Sequence, residues 1–212
     1  MKLTRLAGAA LALTAGLWPP AAPAHATVAP ISPGDRIDLD SDFCTLGYTT
    51  AAGHRSYAIT AGHCQTTPGQ RVRDRRSGAL GVFVRAVVEP PHTGGADYGL
   101  IDFGPAPAAA PPSGSPPLVA RPQPGHIVCR SGITTATQCG TILSAYGPDQ
   151  YLTTGMTPSQ GGDSGGPVWV PGTGSPAAVI GIWLGGYTTL TGADYGRFGC
   201  LTDAFEALGL RG

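Results

Sequence analysis

Charged residues are scarce in this chain, at 12% of 212, and lysine occurs only once, as Lys2. Long apolar runs are missing too. The longest covers residues 6–18, short of the ~20 residues needed to cross a bilayer. No repeat with a period of roughly 20–50 residues occurs, which argues against a propeller or solenoid. No Cys-x-x-Cys spacing occurs either, so the cysteines lack a zinc-ligand frame and no metal or cofactor is expected. Turn formers abound instead: 33 glycines and 21 prolines make about a quarter of the chain. Such a share warns of low-complexity disorder, yet 42% of the residues are hydrophobic, and disordered chains are poor in apolar residues. The glycines keep no every-third spacing, which excludes a collagen helix. A loop-rich, all-β globular protein remains, whose turns need residues without a Cβ clash.

Lys2 and Arg5 precede the apolar run, Pro19-Pro20 ends it, and Ala24-His25-Ala26 supplies small residues for cleavage. Residues 1–26 therefore read as a secretory signal peptide, with a retained anchor as the alternative. Without them, 11 arginines face 13 acids, a net charge near −2, so no general attraction to nucleic acid or membrane is expected. Arg71, Arg73, Arg75 and Arg76 form a local basic patch, read as a solvated hairpin rather than a polyanion site. Secretion permits disulfides. Five cysteines leave at least one unpaired within the chain.

Short β-rich runs recur between turn signals at 55–60, 79–88, 98–103, 126–130, 140–146, 166–170, 177–184 and 196–201. Only the end reads as helix, with Thr202 as N-cap and Ala204, Phe205 and Leu208 as its apolar face. Six prolines between 104 and 117 cannot enter a sheet interior and predict an extended connector at 105–117. The organisation is then a signal peptide at 1–26, a β domain at 27–104, the connector, and a second β domain with the helix at 118–212.

Gly161-Gly162-Asp163-Ser164-Gly165-Gly166-Pro167 is the most informative stretch. Glycines around a serine allow a tight turn that aims amide N–H groups at one point, with Gly162 and Ser164 as oxyanion donors. The stretch also fits the Gly-x-Ser-x-Gly elbow of α/β-hydrolases, but that fold places its histidine after the serine. Here His25, His54, His63, His92 and His126 all precede Ser164. A serine needs a base, and the base an orienting acid. His63, which follows the apolar run Tyr57-Ala58-Ile59, is the candidate base. Asp97, at the start of an apolar strand, is the candidate acid, with Asp102 as its competitor.

In the order His63, Asp97, Ser164, the stretches 60–64, 97–100 and 162–167 resemble the chymotrypsin-like serine peptidases. The likeness is closest to the secreted bacterial streptogrisin and α-lytic type. Residues 31–35, 44–48 and 128–132 are similar to that branch as well. The resemblance implies two six-stranded antiparallel β-barrels with a short C-terminal helix and the site between them. It also implies disulfides Cys44–Cys64 and Cys129–Cys139, and a pairing of Arg130 with Asp163 that makes N-terminal trimming unnecessary. Gly185, Gly186 and Gln160 would line the substrate. The expected function is a secreted, monomeric serine endopeptidase acting on protein or peptide substrates after neutral side chains, since residues 156–160 hold no acid.

Three positions depart from the family pattern. Leu184 stands where a serine normally supports the acid. The pocket disulfide expected near Pro158 and Leu190 is missing, leaving Cys200 as a buried thiol or an intermolecular link. Only residues 27–30 stand where relatives carry a long pro-region. These departures motivate the alternative expectation, a peptidase-fold protein with little turnover that serves as a peptide-binding module.

Overall fold

The computed structural model describes residues 28–109, 121–172 and 179–210. The signal segment and residues 110–117 of the expected connector lie outside them. Strands β1 (Arg36–Asp38), β2 (Phe43–Thr45), β3 (Tyr48–Ala52), β4 (Arg55–Ala61), β5 (Arg71–Asp74), β6 (Leu80–Val88) and β7 (Asp97–Asp102) form one antiparallel sheet. Its order is β2-β1-β5-β6-β7-β4-β3. The two edge strands are consecutive in the chain and separated only by Leu46-Gly47, so the backbone itself carries the sheet round. Taken as one kinked strand, β2 and β3 give the six staves expected of the first barrel.

Strands β8 (Ile127–Gly132), β9 (Ala136–Tyr146), β10 (Gln150–Thr154), β11 (Pro167–Trp169), β12 (Val179–Thr188) and β13 (Asp194–Cys200) close a six-stranded barrel. A single helix, α1 (Leu201–Ala207), follows. The all-β, two-barrel expectation is thus met. Strands β1, β2, β3, β5 and β10 were not among the runs read from the sequence. β1 and β2 are too short to show a period. β10 is buried at four successive positions and cannot alternate. The helix starts two residues early: Cys200 is the N-cap and makes no side-chain cap bond, so Thr202 falls in the first turn.

The arginine-rich segment is β5 and its turn. Val72 and Asp74 point inward while Arg71 and Arg73 are exposed. Arg75 meets Asp38 and Arg76 meets Asp35, so half of the patch is neutralised. Part of the connector is ordered against the first domain. Ile31 donates its N–H to Pro107, and Ala109 donates to Ile31.

β12 joins the two cores. A register shift opposite Val168 and Trp169 and another after Trp183 change which face its side chains present. Ile180 and Trp183 pack with Val128, Ile142, Tyr151, Val168 and Phe198 inside the closed barrel. Ile182 and Leu184 pack with Leu46, Ile59, Tyr98 and Ile101 of the first sheet, together with Leu201, Ala204 and Leu208. The barrels therefore share apolar packing at their seam rather than meeting as separate domains.

Both expected disulfides are present. Cys44 on β2 bonds Cys64 in the turn after β4, and Cys129 bonds Cys139 across the β8–β9 pair. Cys200 is free and 2% exposed, the buried-thiol alternative rather than an intermolecular link. A thiol titration should detect no reactive group in the native, unreduced protein and one per chain in denaturant. Replacing Cys44 and Cys64 together by serine should cost about 3 kcal/mol of unfolding free energy in denaturant titrations.

Candidate active site

The site lies where the end of β4, the start of β7 and the loop before β11 meet. β4 and β7 are direct neighbours, with Ala61 opposite Tyr98 in register. The turn Gly62–Cys64 that follows β4 is therefore held beside Asp97, with the Cys44–Cys64 bond behind it. Asp97 Oδ1 accepts the backbone N–H of His63 at 2.9 Å, and its Oδ2 lies 2.8 Å from His63 Nδ1. His63 Nε2 lies 2.9 Å from Ser164 Oγ. With Nδ1 as donor to the carboxylate, Nε2 is left to accept the hydroxyl proton of Ser164. Burial pushes the Asp97 carboxyl up, but the hydrogen bonds and charge of His63, and then the charge of Arg197, outweigh it and hold the group below its ordinary range. Asp102 takes Arg55 at 2.6 Å and the Gly104 N–H instead, at the far end of β7.

The loop carrying Ser164 is organised around Asp163, which is fully buried. Its Oδ1 accepts the N–H groups of Thr134 and Thr135, each at 3.0 Å. Its Oδ2 accepts Thr135 Oγ1 at 2.7 Å, the Gln160 N–H at 3.1 Å and Arg130 Nη1 at 3.3 Å. Arg130 does meet Asp163, but by the longest of the five contacts. Its guanidinium also reaches Thr135 Oγ1 and the Thr157 carbonyl and lies over the Trp183 ring, 4.4 Å from its centre. Burial pushes the Asp163 carboxyl up, but the Thr135 hydroxyl and the three amides outweigh it, so it lies below its ordinary value.

Two threonines to which the sequence assigns no role set the loop's peptides. Thr134 Oγ1 donates to the Gly161 carbonyl at 2.6 Å, and Thr45 Oγ1, from the first sheet, donates to the Gly162 carbonyl at 2.7 Å. A trans peptide points its C=O and N–H in opposite directions. Holding the Gly161 carbonyl on Thr134 therefore turns the Gly162 N–H away from it, with Gly162 at a φ of 92° that suits glycine. The Asp163 carbonyl accepts from Gly166, which turns the Ser164 N–H the other way. Neither the Gly162 nor the Ser164 N–H donates to an acceptor among the described residues. Gly165 sits where any Cβ would collide with Thr60 and the Thr45 carbonyl, so the nucleophile loop touches the first sheet directly.

Two cavities flank this centre. One, of about 290 Å³, is lined by Met156, Ser159, Trp183, Gly186, Tyr187 and Asp194 among others. Gly186 is in its wall, whereas Gly185 and Gln160 are not. The other, of about 240 Å³, includes His63, Asp97, Leu184 and Arg197. Leu184 is buried in the apolar seam and offers Asp97 no hydrogen bond. His92 stacks edge-on against Tyr187 and also lines the second cavity. No group of three or more His, Cys, Asp or Glu among the described residues is arranged to hold a metal.

No protein-family model matches the chain. Among curated proteins it is 35% identical over 185 residues to the uncharacterized protein Rv1815 of Mycobacterium tuberculosis (strain ATCC 25618 / H37Rv), covering 81% of this chain and 80% of the relative. Among solved structures, Thermobifida fusca Protease A superposes with a TM-score of 0.64 and 27% identity, over 85% of this chain and 97% of its own. Cellulomonas bogoriensis chymotrypsin superposes at 0.59 and 25%, over 84% and 97%. The chain has the chymotrypsin-like fold of these bacterial serine proteases. Within that family fold, the first sheet contributes His63 and Asp97 to the seam and the closed barrel contributes Ser164.

Because the Asp163 carboxyl lies below its unfolded value near 3.8, its ionised form adds stability that is present above that value. That contribution is lost as the pH falls through the lower folded value. Asp74, Asp149 and Asp203, raised by burial, carry the opposite sign. Asp163→Asn should therefore flatten the acid side of the stability–pH curve, read as unfolding free energy between neutral pH and about pH 3. Asp163→Ala, which strands a buried guanidinium, should cost about 3–5 kcal/mol in denaturant unfolding. Arg130→Met should cost less, because the carboxylate keeps four donors.

Proposed function

We propose that the chain is a secreted serine endopeptidase working through an acyl-enzyme. The observation that carries the reading is the continuous run of contacts from Ser164 Oγ through His63 to Asp97, at 2.9 and 2.8 Å. Ser164 Oγ attacks the scissile carbonyl carbon while its proton passes to His63 Nε2. Asp97 remains ionised, holds Nδ1–H and stabilises the imidazolium. The oxyanion takes the N–H groups of Gly162 and Ser164, whose peptide carbonyls, those of Gly161 and Asp163, are held by Thr134 and by the Gly166 N–H. His63 then protonates the leaving amine. A water, deprotonated by His63, releases the acid and restores Ser164.

Asp163 and Arg130 support this loop without a free N-terminus. All five donors to Asp163 are internal, and the Ile31 N–H is bonded to Pro107. The substrate would lie along Gly185 and Gly186, with its cleaved residue in the cavity beside Met156 and Trp183. That wall carries one carboxylate, Asp194, which is exposed and accepts Thr188 Oγ1 at 2.6 Å. A neutral side chain fits such a site better than Arg or Lys. Two disulfides favour an oxidising compartment, consistent with export and removal of residues 1–26.

Residues 27–212 should react with a fluorophosphonate probe without further N-terminal trimming, and Ser164→Ala should not. Peptides should be cut after Ala, Leu or Phe rather than after Arg. Absence of labelling in both proteins would point to a peptide-binding module, and rapid cleavage after Arg would overturn the neutral preference.

A further inference from the structure

Arg197, on β13, makes no ion pair among the described residues, whereas Arg36, Arg55, Arg75, Arg76, Arg121 and Arg130 each reach a carboxylate. A guanidinium has five donors. Of these, Nη1 reaches Gln150 Oε1 at 3.3 Å, and Nε is buried with no acceptor. Leaving such donors unmet away from water is costly. Arg197 lines the cavity of about 240 Å³ that also contains His63, Asp97 and Glu89. Its charge acts on Asp97, whose oxygens already accept two bonds from His63, and neither wall carboxylate forms an ion pair with it among the described residues.

The strand geometry decides which part of a substrate meets this cavity. Along β13, Gly196 lines the cavity beside Trp183 and the next residue, Arg197, lines the one beside His63. β12 pairs with β13 on one side, and its ladder with β11 ends at Ile182. Gly185 and Gly186 therefore present an open edge to an added strand. A peptide laid there sends successive side chains to opposite faces. When the cleaved residue occupies the cavity beside Trp183, the residue before it points toward His63 and Arg197.

We propose that this second cavity is a subsite for an acidic side chain, Asp or Glu, immediately N-terminal to the cleaved residue, held by the Arg197 guanidinium. The inference rests on the peptidase reading for its register. A carboxylate in the cavity supplies the ion pair that Arg197 lacks, and a charge-assisted pair of this kind is stronger than a neutral bond. A basic side chain there meets a like charge, and an apolar one gains no ion pair.

The test uses residues 27–212 and matched fluorogenic peptides with Ala, Leu or Phe at the cleaved residue and Glu, Asp, Ala or Lys before it. The acidic peptides should show a kcat/KM about tenfold above the alanine ones, an effect expected of one charge-assisted contact. The preference should collapse toward unity in Arg197→Gln and persist in part in Arg197→Lys, with melting curves establishing that each variant is folded. Equal rates for Glu and Ala peptides in the native protein, or a preference that survives in folded Arg197→Gln, would overturn it. Binding of the same peptides to Ser164→Ala, read by fluorescence anisotropy, separates the two ideas. Arg197-dependent selection of acidic peptides by a chain that neither hydrolyses nor labels keeps the subsite and sinks the peptidase reading. Equal affinities sink the subsite.

Discussion

A single buried carboxylate organises the molecule's centre. Asp163 has no access to water, and its two oxygens take five donors from three separate segments of the second barrel. A carboxylate stripped of solvent has to be met at nearly every lone pair, so the turn after β8, the segment before Ser164 and the Arg130 side chain are all drawn to one point. The conformation of the Ser164 loop follows from this convergence. Its carbonyls are bound elsewhere, by Thr134, Thr45 and the Gly166 N–H, and the Gly162 and Ser164 amides are left without an acceptor among the described residues.

The seam supplies the other half of the arrangement. Gly165 and Gly47 allow the nucleophile loop to touch the first sheet at distances no Cβ would permit. The Thr45 N–H bonds the Ser164 carbonyl from across that boundary. His63 and Asp97 belong to one sheet and Ser164 to the other, so their alignment depends on the barrels being locked together. Apolar packing of Ile182, Leu184 and α1 against the first sheet does this. Beside Leu184, Arg197 and Asp97 line one cavity, and the charge of Arg197 helps hold the carboxyl below its ordinary range.

Several features were readable in one dimension. The order His63, Asp97, Ser164, the glycines round the serine and the absence of helical periods before residue 200 identified an all-β fold and the three residues that meet in space. Longer strands such as β6 were recognisable as β-rich runs bounded by turn formers. Short strands such as β1, and β10 with no exposed face, carried no such signal. The split of four arginines into paired and solvated members was likewise invisible, because the partners Asp35 and Asp38 lie some forty residues away in the chain.

What the sequence determined alone is local or ordinal: turn chemistry, strand type, cysteine supply, and the succession of base, acid and nucleophile. Tertiary structure decided everything that needs two distant segments at one point. It made Thr135 and two loop amides, more than Arg130, the nearest partners of Asp163. It set Thr134 on the Gly161 carbonyl and Thr45 on the Gly162 carbonyl, and it put Arg197 in a cavity wall without an ion pair among the described residues. Threonine and arginine are chemically ambiguous in isolation, since each is at home on a solvated surface. Only the burial and the neighbours imposed by the two-barrel seam give these particular ones a role.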